Sequence, residues 1–201
     1  MNNLPDFKEG VNICETNSMR LSTSARIIIN NKEHGTNSFG LYLLYMSYEE
    51  IAKAIFCFFI DKGWVKYEFV KDVFKKHQAK VFLFEEFFSS FSLNDGVVYL
   101  GGKKLGEISL DEFIKKYQSE IQQHRIDTMK FLYVEPDGNK WHIPYESITD
   151  IKEKEENIVN KITALRSVLR TLQQNSNRTL LNNFKIIQNS GGFIQMQYDS
   201  I

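Results

Sequence analysis

Lysines crowd around one histidine in Lys71-Asp72-Val73-Phe74-Lys75-Lys76-His77-Gln78-Ala79-Lys80. Histidine titrates near neutral pH, so His77 can take a proton as a general base, while nearby lysines steady the negative charge that builds on a phosphate. Such a set cleaves a phosphodiester beside a 2′-hydroxyl without a metal ion. Lys80 stands about one helical turn beyond His77, and Lys71 or Lys76 can face the same phosphate. The plainer reading is a partly exposed histidine on a solvated lysine face. A second charged set, Glu49 and Lys53, lies one turn apart and can orient His77 from a neighbouring helix. Its plainer reading is a self-satisfied ion pair on a wet edge.

These side chains must be held by helices. The stretch Phe39 to Ile60 is strongly apolar, and Leu41, Leu44, Tyr48, Ile51, Ile55 and Phe58 or Phe59 form one stripe at 3.6 residues per turn. It is long enough to cross a bilayer, which takes about 20 residues. Glu49, Glu50 and Lys53 near its centre would each cost about 2.5 to 3.5 kcal/mol there, so the spacing predicts a core helix and no membrane span. It ends at Asp61-Lys62-Gly63.

A first helix is expected from about Val11 to Asn31, with Ile13, Met19 or Leu21, Ala25, Ile28 and Ile29 on its apolar side. Asn37 or Ser38 suits the N-cap of the central helix. A long amphipathic helix from Val65 to about Phe88 carries the lysine and histidine set. Asn94-Asp95-Gly96 and Gly101-Gly102 then flank Val97 to Leu100, which reads as a small hairpin or an irregular loop. A fourth helix opens at Ser109-Leu110-Asp111-Glu112 and carries Arg125, either an anion contact or a helix-end charge. Pro136-Asp137-Gly138-Asn139 marks a turn in an extended loop or tiny hairpin. A last long helix starts near Tyr145 and runs through Ile148, Ile151, Ile158, Ile162, Leu165, Val168, Leu169 and Leu172. The chain therefore reads as one all-α domain over 1–201 with a core of about 11–173. Its tail, 174–201, suits a dimer interface as well as its own domain.

The 25 basic and 25 acidic residues of the 201-residue chain cancel, so no overall field draws it onto nucleic acid or anionic lipid. Two cysteines without a CxxC or Cys/His cluster suggest neither a disulfide framework nor a zinc site, and nothing asks for another metal or a cofactor. The opening residues lack a basic segment followed by an apolar one, which places the protein in the cytoplasm.

In order along the chain come Ser47-Tyr48-Glu49-Glu50-Ile51-Ala52-Lys53, Lys76-His77-Gln78-Ala79-Lys80, Leu132-Tyr133-Val134-Glu135 and the Trp141 to Pro144 loop. Together these resemble the AbiV abortive-infection family of bacterial phage-defence proteins, whose members resemble HEPN domains. The resemblance covers roughly Ser22 to Asn160 and implies a HEPN-like helical bundle with a small hairpin or loop insertion. HEPN ribonucleases dimerise and place an Arg and a His, four to six residues apart, from each subunit at a shared site, with a polar residue after the Arg. Lys71, Asp72 and His77 match that spacing, with Lys where the pattern has Arg. Lysine keeps the charge and loses the planar fork that suits a phosphate.

The resemblance implies a metal-independent ribonuclease with His77, Lys71, Asp72, Lys80, Glu49 and Lys53 at its catalytic site, and Lys76 and Arg125 as substrate contacts. It implies a homodimer that attacks RNA or the ribosome once a phage-encoded protein activates it. The alternative is a catalytically silent HEPN-like protein that binds a phage or ribosomal partner.

Overall fold

A computed structural model describes residues 4–31, 37–75, 91–94, 97–100, 103–104, 135–137, 140–142, 148–175, 183–188 and 194–198. Helix α1 (Phe7–Asn30) begins four residues before the periodicity suggests, because Asp6 caps it: the Asp6 side chain accepts from the Glu9 backbone N–H at 3.1 Å. Helix α2 (Asn37–Asp61) ends as expected, and its ending has a definite chemistry. Gly63 takes φ +70°, its N–H donates to the Ile60 carbonyl, and the Trp64 N–H donates to that of Phe59. That pair of bonds is a Schellman cap, and the Phe59 and Trp64 rings, 5.7 Å apart, supply the apolar contact that goes with it. Helix α3 (Tyr67–Lys75) follows, its Tyr67 ring resting against Phe7 and Phe74.

Helix α4 (Ile148–Asn175) buries Ile151, Ile158, Ile162, Leu165, Leu169 and Leu172, with steps of seven, four, three, four and three. This spacing keeps one seam of a helix against its neighbours over several turns. The expected stripe of α2 is likewise inside: Leu41, Leu44, Ile51, Ile55 and Phe59 are fully buried and Tyr48 and Phe58 nearly so. The helical frame is thus that of the all-α bundle read from the sequence.

Helices α1 and α2 meet through small residues. Val11, Ser18 and Ala25 are the buried positions of α1, spaced by seven. Ser18 bonds Ser47, and a Cβ on Gly40 would come within 3.2 Å of the Ala25 carbonyl oxygen. Ala25 with Gly40 and Ser18 with Ser47 define an antiparallel register whose next step sets Val11 toward Ala54. The α1 face expected from apolar residues alone is partly wrong. Ile13 and Met19 are exposed, whereas Ala25 and Ile29 pack on the core. Seam width explains this, since a close approach of two backbones selects side-chain size above hydropathy.

The hairpin is larger than expected. Strands β1 (Phe91–Asn94), β2 (Val97–Leu100) and β3 (Lys103–Lys104) form a meander, and the tail adds β6 (Asn183–Gln188) beside β1 and β7 (Ile194–Tyr198) outside it. All pairs are antiparallel, with Leu93 opposite both Val98 and Phe184. A separate tiny hairpin pairs β4 (Glu135–Asp137) with β5 (Lys140–His142), so Pro136 and Asp137 of the expected turn lie in a strand, while Gly138 and Asn139 lie outside the described residues. The tail thus pairs with the chain's own β1. The expected fourth helix near 109–129 and the far end of the lysine and histidine helix lie outside the described residues.

Candidate functional site

The middle of α2 is where the helix carries charge into the core. Glu49 and Glu50 are each only 7 % exposed, although carboxylates are seldom that buried without a partner. Lys53 forms an ion pair with Glu50, one turn back on α2. The self-satisfied pair expected between Glu49 and Lys53 is therefore made to the adjacent glutamate, at spacing i to i+3. Both spacings bring helical neighbours together, so sequence distance alone did not separate the two glutamates. On the flank of α2 toward α4, Lys161 sits 5.9 Å from the centre of the Tyr48 ring, a cation over an aromatic face.

On the side of α2 toward α1, Cys57 is buried and its free thiol is in hydrogen-bond contact with the free thiol of Cys14, with Lys53 and Glu50 close enough to act on it. The Cys14 contact and burial push the Cys57 thiol far above its ordinary range, so it stays protonated and unreactive as a nucleophile. Among the described residues no three His, Cys, Asp or Glu side chains gather as a metal site.

A second polar set ties three helices. Arg166 of α4 donates through Nη2 to Ser18 Oγ at 3.2 Å and Ser22 Oγ at 3.1 Å. Ser47 Oγ donates to the Ser18 carbonyl at 2.8 Å, so the 3.0 Å contact between the two serine hydroxyls runs from Ser18 to Ser47. Burial lowers the Arg166 pKa; Arg170 and Arg26 lower it further, against the pull of Glu15. No feature of the sequence singled out this set, because single serines on a helix are commonplace and Arg166 is one of many charges on α4.

The sequence-derived site residues fall into two groups. Glu49 and Lys53 share α2, the first buried and the second half-buried. Lys71 is exposed on α3, and Asp72 follows it in the same helix. His77, Lys76, Lys80 and Arg125 lie outside the described residues. The residue that the sequence reading passed over is Glu50, which holds Lys53.

The described helices thus carry a buried charged segment in the middle of α2. The family model HEPN_AbiV, described as AbiV, matches residues 6–164, and the chain belongs to the AbiV family. That membership supports a role in abortive-infection defence against phage. No curated protein and no solved structure matches the chain. Among the described residues no helix is long and apolar enough to cross a membrane, in keeping with the charges in the middle of α2.

Proposed function

We propose that this protein is an antiphage effector that, once released by a phage product, arrests the infected cell by cleaving RNA or blocking translation. The observation that carries this reading is the AbiV family match over residues 6–164. In the cleaving form, His77 takes the 2′-hydroxyl proton, and Lys71, Lys80 and Lys76 meet the phosphate, with Asp72 beside them and Arg125 as a further anion contact. Glu49 and Lys53 act from α2. Because Lys53 is engaged by Glu50, its part is to orient neighbours rather than to neutralise a phosphate. The site is completed in a homodimer. An active nuclease in an uninfected cell would kill its host, so the activator must bind the active state more tightly than the resting one.

A second reading, a silent HEPN-like protein that blocks a phage or ribosomal partner sterically, is favoured by one feature: an exposed lysine, Lys71, stands where the HEPN pattern has arginine. His77→Ala separates the two. Phage resistance and RNA breakdown in infected cells are expected to vanish in a variant that melts like the parent. Full resistance in that folded variant leaves the steric reading standing.

A further inference from the structure

Cys14 and Cys57 are the two cysteines of the chain, far apart in sequence, and the packing of α1 on α2 brings them together. The place is set by a glycine. A Cβ on Gly10 would stand 3.1 Å from Cys57 Sγ and 3.7 Å from Cys57 Cβ, so α2 lays this thiol against α1 where a side chain is missing. Cys14 follows Gly10 by one turn on the same face of α1, between the buried seam positions Val11 and Ser18, and its thiol meets that of Cys57. The seam is narrow here for the reason it is narrow at Ala25 and Gly40: small residues let the two backbones run close. Cysteines on facing helices can be bridged only at such an approach, since a disulfide needs Cα atoms about 4.4–6.8 Å apart.

The two thiols differ in access. Cys57 is 3 % exposed, whereas Cys14 is half-buried, so a solute meets Cys14 first. Neither has a part in the RNA chemistry.

We propose that Cys14 and Cys57 are an oxidation site, at which a hydroperoxide converts the pair into an intramolecular disulfide that pins α1 to α2. Cys14 reacts first. Its sulfur takes one peroxide oxygen: the O–O bond breaks, an S–O bond forms, and the thiol proton leaves with the other oxygen as an alcohol or water. Two electrons pass from sulfur to the peroxide. The sulfenic acid presents an electrophilic sulfur to Cys57 and replaces the thiol contact that held the Cys57 proton. As the S–S bond forms the S–O bond breaks, and the hydroxide departs with that proton as water. A small thiol reverses the change by exchange through a mixed disulfide. Where thiols are kept reduced, a bond of this kind is transient and responds to oxidant. It forms whether or not His77 cleaves anything.

The test treats the reduced, full-length protein with hydrogen peroxide, blocks the remaining thiols in denaturant, and reads intact mass and a peptide map. The parent is expected to lose both alkylatable thiols, to lighten by two hydrogen atoms and to yield a peptide joining Cys14 to Cys57, with no covalent dimer on a non-reducing gel. Its thermal midpoint should rise by roughly 5–10 °C and return when a thiol reductant is added. Cys57→Ser should stop at the sulfenic acid, which dimedone traps on Cys14, whereas the parent gives little adduct because Cys57 intercepts it. Cys14→Ser should leave Cys57 alkylatable at peroxide doses that close the pair in the parent. The proposal is overturned by two free thiols in the parent after treatment, by a disulfide only between copies, or by Cys14 carried on to the sulfinic acid with Cys57 still free. A linked pair whose midpoint does not rise overturns it as well, and the parent alone decides each of these outcomes should a variant not fold.

Discussion

Helices α1 and α2 are nearly the same length and lie against each other, yet α1 buries three residues and α2 sixteen. The difference is one of position. Helix α1 offers a narrow seam of small residues to α2 and meets α4 through Ser18 and Ser22, whereas α2 is covered almost all round, including the flank that carries Glu49 and Glu50. The two helices therefore fail in different ways. Helix α2 depends on volume and on the pairing of charge, and α1 depends on how closely two backbones approach.

The largest effect is expected at Leu44, fully buried on the stripe of α2. Leu44→Asp sets an unpaired charge in the core and should leave no cooperative melt by circular dichroism, while Leu44→Ala should cost about 2–5 kcal/mol. A cooperative transition for Leu44→Asp at the parent temperature would break the contrast, since α2 would then be no more enclosed than α1. Next comes Gly40→Leu. Even a Cβ there would stand 2.4 Å from Cγ1 of Ile29, closer than carbon atoms pack, and a whole leucine must push the two helices apart. A loss of about 3 kcal/mol by chemical denaturation is expected, the upper end of overpacking penalties. An unchanged midpoint would mean that the seam opens without cost.

What was legible in the sequence follows the same division. The stripe of α2 and the seam of α4 were readable because large apolar residues recur at helical spacing, and burial of such residues is what the pattern encodes. The inner face of α1 was not, because Ser18 and Ala25 earn their places by being small, and Ile13 and Met19 outrank them on any scale of hydropathy. The termination of α2 was readable from one glycine, Gly63, which accepts the positive φ of the cap. Strands β6 and β7 were not legible as strands, because β6 pairs with β1, which lies about ninety residues away in sequence. Of the candidate site, the charges on α2 were plain but their pairing was not, since Glu49 and Glu50 stand at equally good distances from Lys53. Arg166 with its serines depends on three helices meeting, which no local pattern announces.

A smaller effect probes the polar rivet in the α1 seam. Ser47→Ala removes the bond to the Ser18 carbonyl and the acceptor for the Ser18 hydroxyl, while Ser18 keeps its contact with Arg166. A cost of about 1 kcal/mol is expected, because the alanine leaves little cavity and the Ser18 carbonyl is part of the α1 backbone ladder. Measured in the Arg166→Met background, the same substitution should cost a different amount, since the two side chains share Ser18. Strict additivity would show that the three helices are joined pairwise and not through one network.

The smallest effect is expected on the outer face of α1, and it is the sharpest test of that helix's one-sidedness. Ile27 is 66 % exposed and Ile13 58 %, so Ile27→Gln and Ile13→Gln exchange solvated apolar groups for solvated polar ones. Each should change stability by no more than about 0.5 kcal/mol, the ordinary range for surface positions. That expectation holds for an α1 whose outer face meets water. If a second copy of the chain covers it, the substitutions would expose a polar group to an apolar contact, and their cost would rise with protein concentration as dimer replaces monomer. Denaturation curves at two concentrations, with light scattering at each, distinguish the cases. Coincident curves for parent and variant at both concentrations leave α1 covered on one side only and move any dimer contact to another surface.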